Sequence, residues 1–534
     1  MKKWHSLLEY FQFPLKMLFV ATILLGIGST IINPNVDPLL WHIDNDIVIV
    51  VSEMLKYIGG YLIRFFPVFV FVKILMRRYE DSVPAFVGLF GYVILNVVMM
   101  FFIDSTLPTY FYENSLGIQA NFQATSFFGE ISKVPYITGI FSLIVVYYIV
   151  RKSYERSRHY AMHGVLSFID HDTWALITSL ILCVIAGIAF AFLWPYFFDL
   201  INSIFALIGN DISDPVNLFF YGIIERVMAV FNLVDLPRNA FWLGEMGGSF
   251  MEPTGLKHVG DVSIWSYQIM NNLELTAGKF ITPYYIVNIF VIPSFLLGYL
   301  SLVTSKKERG RYSLFFILAI VFSVLCGNAL PMEIFMLVLA PLLYIFYLIM
   351  VGLIYAALQM LGVSIGYNFS DALIVANPGS LLDLPRFFRI PDMYGDLITI
   401  LIVGVICFII FFLTTRAYFK KYAIGLLQLS NRKAVTDRII LAVGGIDNII
   451  QIDSTPDKLT LALEDRLLID AEALRSEGAY LILEAKDGYL VRLGNISTIV
   501  GEEINKLLIE KNKAKVNTEE ILLNYPQKYK KERF

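Results

Sequence analysis

Charge is what this 534-residue chain has least of. Asp, Glu, Lys and Arg make up 16% of it, against about 25% in a typical soluble domain. The shortage is local. Arg416–Phe534 holds 19 of the 42 Lys/Arg and 17 of the 45 Asp/Glu. The part before it is therefore too apolar to dissolve, and the part after it has ordinary polarity. Neither sign dominates. A formal net charge of −3 excludes the basic footprint of a nucleic-acid binder. Cysteine is scarce as well. Cys183, Cys326 and Cys407 each lie in an apolar run, which excludes a disulfide framework and a cysteine zinc site. Such a cysteine acts as a small hydrophobe. No glycine-rich loop ends in Lys-Ser/Thr, so an autonomous ATP-driven pump is excluded. Asp170-His171-Asp172 is the nearest approach to a metal cluster. Neighbours in sequence rarely converge on one ion, and the triplet reads as a loop at the membrane surface. The reading calls for no metal and no cofactor.

What is abundant is apolar residues, 57% of the chain, with 15% aromatic. A membrane-spanning helix needs about 20 mostly apolar residues. Pro14–Ile32, Pro84–Phe102, Pro135–Val150, Trp174–Leu193, Tyr284–Leu302, Tyr312–Cys326, Glu333–Leu361 and Leu397–Thr414 qualify. Met54–Leu75, Tyr196–Ile208 and Leu218–Leu233 are weaker. The pattern predicts a polytopic α-helical membrane domain of about ten spans over residues 1–415. Met1-Lys2-Lys3 opens it without a small-residue cleavage site, which reads as an uncleaved first helix.

Basic clusters recur at Lys2–Lys3, Arg77–Arg78, Arg151–Arg158, Lys306–Arg311 and Arg416–Lys421. Loops such as Asn33–Asp46 and Asp104–Glu130 are almost free of positive charge. This alternation puts both termini in the cytoplasm.

Several apolar stretches are interrupted. Phe220–Leu236 carries Glu225 and Arg226, and Phe241–Gly260 carries Glu245, Gly247, Gly248 and Glu252. Ile365–Gly379 carries Asn368, Asp371 and Asn377, and Gly327–Glu333 ends in a lone carboxylate. Ionisable groups at membrane depth tend to face a cavity, and broken segments point to a transport site. An interfacial loop is the alternative. Glu225 and Arg226 are adjacent, which does not by itself put them on one helix face.

After a linker at 416–432, residues 433–511 read as a small cytoplasmic α+β domain. Asn431–Val443 has helical spacing and ends at Gly444-Gly445. Leu459–Glu464 alternates as a strand does. Asp470–Ser476 reads as a short helix and Ile496–Glu510 as a final one. Tyr480–Glu484 and Tyr489–Leu493 flank Lys486-Asp487-Gly488, a hairpin signal. Residues 512–534 form a polar tail.

Taken in order, these segments resemble the sugar permeases of the bacterial phosphotransferase system, glucose superfamily, in which a IIC membrane domain is fused to a cytoplasmic IIB domain. Ala85–Asn96 is similar to the family's GLVGYLVLN stretch, and Tyr221–Leu233 to its YGxxERLLxPFGL motif. Glu245-Met246-Gly247, Gly260-Asp261 and Ala277–Phe280 follow in the expected order, and Gly327–Tyr344 resembles GITEPIEFxFLFVAPxLY. Val443–Ile449 looks like the GGKENI opening of IIB, and Asp453–Leu459 falls on its DACITRL segment. The resemblance implies a multi-pass protein of the bacterial cell membrane that takes a glucose-type sugar. It implies phosphorylation from a phosphocysteine recharged by a IIA phosphocarrier protein, and typically a homodimer in the bilayer.

The departures concern chemistry. Thr455 stands in the place of the family's phosphorylated cysteine, and Lys458 in that of its arginine. Leu330 replaces the first glutamate of the EPxE segment while Pro331 and Glu333 remain, and Val234-Asp235 replaces a His-His pair. A threonine hydroxyl is a weak nucleophile without an activating base. Phosphoryl transfer is thus left open, and the alternative is a non-phosphorylating facilitator or sugar sensor. The residues expected at a sugar are Glu225, Arg226 and Glu333, with Asn328 as an amide partner. Arg226 and Glu333 are expected near each other and away from lipid. Reporter fusions within Asp104–Glu130 and after Arg416 should report opposite sides of the membrane. The same side for both would refute the threading.

Overall fold

The computed structural model describes residues 2–32, 45–79, 81–103, 134–158, 170–302, 317–367, 379–422, 432–493 and 500–511. Exceptions within these ranges are 322, 326, 456, 457, 486 and 487, and the isolated residues 125–126, 129–130, 313, 369–370, 373–374 and 497 are also described. The Asp104–Glu130 loop in large part, part of Tyr312–Cys326, Pro456, Asp457 and the 512–534 tail lie outside them. The chain divides into two compact units, Tyr10–Lys421 and Tyr422–Phe534, the latter with Met1–Glu9.

The larger unit is built of helices. Among the described residues six are long and apolar enough to cross a membrane: Phe13–Ile31, Val83–Phe102, His171–Gly209, Thr282–Leu300, Pro341–Met360 and Pro391–Lys421. A seventh candidate is the pair Asp46–Arg64 and Phe66–Tyr79, bent by 51°. Their outer faces are apolar and uncovered. Leu193, Tyr196 and Leu207 of the long helix are 66–73% exposed, far more apolar surface than a water-soluble monomer shows. One core knits Phe71, Leu75, Leu95, Val146 and Cys183 together. Cys183 fills space there as a small hydrophobe, buried and free.

Proline decides where helices end, and not uniformly. Trp174–Leu193 and Tyr196–Ile208 read as two segments around Pro195, but they form one helix, His171–Gly209. In an apolar surround the chain keeps its remaining backbone bonds internal rather than unwinding. Glu333–Leu361 reads as one run but is two helices, Leu330–Leu339 and Pro341–Met360. Ala340, at φ −145 and ψ 69, is held out of the helical region by the ring that follows it. Leu397–Thr414 lies within Tyr394–Tyr422, so the helix continues through Arg416 and Lys421, residues that read as linker. Asp170 is a helix cap, accepting from Thr173 N at 2.7 Å. No cluster able to hold a metal occurs among the described residues.

Asp214 caps the helix Pro215–Val230 by accepting from Val216 N at 2.9 Å, and Pro215 suits its first turn. This helix packs on Pro341–Met360 at two glycines. A Cβ at Gly222 would lie 2.4 Å from the Tyr355 ring, and one at Gly352 would lie 2.8 Å from Phe219 O. After Val230 the backbone is irregular. A short helix Asp235–Arg238, a π-turn Asn239–Leu243 and a hairpin pairing Ser249–Met251 with Lys257–Val259 lead to the helix Asp261–Met270. The helix Thr282–Leu300 also carries a π-turn, at Val287–Val291.

The smaller unit has a helix Arg432–Ala442 and a four-stranded antiparallel sheet. Its strand order is Ile449–Ser454, Lys458–Leu463, Gly488–Arg492, Leu481–Ala485. A helix Ala471–Ser476 and a helix over 500–511 complete it. Alternate residues Leu459, Leu461 and Leu463 point into a core shared with Ile439, Val443, Leu474, Val491 and Ile504. Asn448 ties its ends together. Its amide donates to Val443 O and Asp465 O at 2.7 and 2.8 Å, and its oxygen accepts from Asp465 N at 2.7 Å.

The close helix pair yields a test. Gly222→Val forces the Pro215–Val230 helix away from Tyr355 and should destabilise the protein by about 1–3 kcal/mol, as overpacking does. A lower thermal unfolding midpoint in detergent is the expected result. An unchanged midpoint would show that the two helices have slack.

Candidate functional site

The helix Pro215–Val230 carries Glu225 and Arg226, and Leu330–Leu339 carries Glu333 in its first turn. Glu225 and Glu333 are fully buried and Arg226 is nearly so. A lone charge in hydrocarbon costs several kcal/mol, so these three must satisfy one another. Arg226 Nη1 lies 3.0 Å from Glu333 Oε1, and Arg226 Nε lies 3.4 Å from Glu225 Oε2. Adjacent residues can do this because the guanidinium reaches past its neighbour on a long stem. Arg226 and Glu333 are together inside the fold, as expected.

Residues that the sequence reading did not single out complete the group. Arg238 Nε lies 3.1 Å from Glu225 Oε1, and Arg238 Nη2 donates to Tyr284 Oη at 2.8 Å. The Tyr284 hydroxyl donates to Glu225 Oε1. The Arg226 guanidinium sits 4.1 Å from the centre of the Tyr284 ring, a cation–π contact. Tyr347 donates to Glu333 Oε1 at 2.5 Å, and Tyr344 donates to Arg226 O at 3.2 Å. Two guanidinium groups thus face two carboxylates, a formally neutral set. Arg238 alone reaches outward, its side chain 29% exposed. The available signals were Arg238 as an isolated cation between Asp235 and Glu245, and the i, i+3 tyrosines in an aliphatic run.

The set is not closed. Arg226 Nη2 and Glu333 Oε2 are buried and have no hydrogen-bond partner among the described residues, while Glu225 Oε2 and Arg226 Nε face each other at 3.4 Å without a hydrogen bond. Buried polar atoms normally find partners. One acceptor, Glu333 Oε2, and one donor, Arg226 Nη2, are therefore left open on side chains that protein contacts hold in place.

Asn328 is placed differently. Its side chain accepts from Leu330 N at 3.2 Å, and it borders a cavity of about 30 Å³ with Thr22, Pro331 and Met332. No hydrogen bond joins it to the charged set among the described residues. Thr455 belongs to the smaller unit. Its N–H donates to Lys458 O at 2.9 Å, closing the turn after Ile449–Ser454. No base hydrogen-bonds to its hydroxyl among the described residues. Val234-Asp235 also stays outside the set, with Asp235 Oδ2 3.8 Å from Arg64 Nη2.

Removing one partner of a buried ion pair costs about 3–5 kcal/mol, because the other charge is left alone. Arg226→Met should show that loss. Arg226→Met combined with Glu333→Leu should be more stable than Arg226→Met alone, because Glu225 keeps Arg238. Thermal unfolding of the three proteins checks this, and a double variant worse than the single would show that the pair is not mutually compensating.

Residues 9–352 match the family described as phosphotransferase system, EIIC. Among solved structures the chain is similar to the transporter ChbC, the IIC component from the N,N'-diacetylchitobiose-specific phosphotransferase system. The identity is 13% over 77% of this chain and 90% of that one, with a TM-score of 0.30. The sequence match spans more than half of the chain, through the segments that hold Glu225, Arg226, Arg238 and Glu333. The chain belongs to the phosphotransferase system EIIC family of sugar-transporting membrane proteins.

Proposed function

We propose that the protein binds a glucose-type sugar at the Glu225–Arg226–Glu333 set and carries it across the bacterial cytoplasmic membrane. The observation that carries this is the pair of unpartnered buried atoms Arg226 Nη2 and Glu333 Oε2, with the Glu225 carboxylate beside them. Each sugar hydroxyl both donates and accepts, so one ring can serve carboxylate and guanidinium together. Asn328 is the amide partner in this reading, close to the Glu333 helix. The membrane part, 1–415, has about ten spans. It works as a homodimer.

In the same reading, residues 416–432 are a linker whose first part is the end of the Tyr394–Tyr422 helix, and 433–511 are a IIB-like domain on the cytoplasmic side, followed by a polar tail at 512–534. Its partner is a IIA phosphocarrier protein. The domain folds without a thiol, because its core of Leu459, Leu461, Val491 and Ile504 does not involve one. It passes no phosphate through a cysteine, because Thr455 occupies that place. A thiolate is the nucleophile such a relay needs. Thr455 favours the second reading, a facilitator or sugar sensor that releases its sugar unmodified.

Purified protein in liposomes should take up labelled D-glucose saturably and release it unphosphorylated. IIA and the general relay proteins, charged from phosphoenolpyruvate, should leave no label on the chain. Thr455→Cys should acquire label. Stoichiometric phosphate on Thr455 or Ser454, passed on to sugar, would overturn the inactive-relay reading. Failure to bind any hexose would overturn the site.

A further inference from the structure

Asn288 lies outside the charged set and is fully buried. It sits in the π-turn Val287–Val291, one turn beyond Tyr284 on the same helix. Its amide nitrogen donates to Gly327 O at 3.0 Å and to Gly379 O at 3.2 Å. Two carbonyl acceptors fix the amide's orientation, because a flipped group would put oxygen against oxygen. The carboxamide oxygen Oδ1 is therefore turned away from both, and it has no hydrogen-bond partner among the described residues.

The two carbonyls come from the elements that frame the charged set. Gly327 precedes the helix that presents Glu333. Gly379 lies against the backbone of Tyr284, where a Cβ would come within 2.5 Å of Tyr284 Cβ. Both glycines have positive φ, +63 and +82, so their carbonyls stand clear of helical bonding. Ser323 Oγ donates to Asn288 O at 3.1 Å and steadies the backbone of the π-turn. The segment thus spends both amide protons on holding Asn288 still and leaves one acceptor unsatisfied between the Tyr284 and Glu333 elements. A π-turn of this kind is often kept at a functional site.

We infer that Asn288 is a further sugar-contacting residue, its Oδ1 accepting a hydrogen bond from one hydroxyl of the transported sugar. This rests on the sugar-binding reading above. A neutral acceptor held by two carbonyls selects for a donor at one ring position. The carboxylates pair with hydroxyls more permissively. Asn288 therefore contributes specificity between sugars that differ at that position.

The test is a cycle of binding measurements on the detergent-solubilised full chain. D-glucose and its 2-, 3-, 4- and 6-deoxy derivatives are titrated against wild type, Asn288→Ala and Asn288→Ser. In wild type one deoxy sugar should bind about tenfold more weakly than glucose, the worth of one lost buried hydrogen bond. In Asn288→Ala that deoxy sugar and glucose should bind alike. Asn288→Ser also removes the amide acceptor, without setting a second oxygen against the two carbonyls, and should lose the discrimination as alanine does, which covers an alanine variant that does not fold. The same discrimination in wild type and Asn288→Ala would overturn the proposal. So would a uniform loss for all five sugars in both variants, since that is the mark of a structural clamp. Wild type binding none of the five would instead overturn the sugar site itself.

Discussion

A guanidinium group cannot stay alone in an apolar interior, and much of the larger unit is arranged around that fact. Arg226 is held from three directions, by Glu333, by Glu225 and by the face of Tyr284. Each partner comes from a different stretch of chain. The Glu333 helix, 107 residues further along the chain, and the Tyr284 helix, 59 residues from Glu225, are thereby tied to the Glu225–Arg226 helix at one point. The break at Ala340-Pro341 puts Glu333 and the two tyrosines on separate helices, so that Tyr347 donates to Glu333 Oε1 and Tyr344 to the backbone carbonyl of Arg226. The close seat of Gly222 on Tyr355 keeps the Glu225–Arg226 helix against that second helix.

Neutrality of the set has a functional consequence. A buried ion pair is weak evidence for stability, because desolvation offsets the attraction. Such a set persists where its charges do something else. Here the atoms facing away from the pairs remain without protein partners, which suits a ligand with many hydroxyls. Arg238 adds the balancing cation and is also the part of the set that reaches outward, so the buried carboxylates connect to the outside through it.

Much of this was legible in the sequence for a physical reason. Charge inside an apolar run is conspicuous, so Glu225, Arg226 and Glu333 announced themselves, and the cost of isolation predicted their meeting. Arg238 and Tyr284 were not legible in the same way. Arg238 stands in an irregular stretch whose backbone no periodicity describes, and a tyrosine in a membrane protein is more often at an interface than on a carboxylate. Asn328, five residues before Glu333, accepts from Leu330 N at the start of the Glu333 helix, a local contact that its sequence position alone does not reveal. Proline misled in both directions, since Pro195 continues a helix and Pro341 ends one. In the smaller unit, strict alternation made Leu459–Glu464 readable, and the strand is Lys458–Leu463.

The central claim is that the charged set is where the sugar sits. A structure of the protein solved with D-glucose bound tests it most directly. The account predicts a sugar ring within hydrogen-bond distance of Arg226 Nη2 and Glu333 Oε2, with the Arg226–Glu333 pair intact. A sugar held elsewhere, with those two atoms still unpartnered or bridged to each other by a rearranged pair, would contradict it.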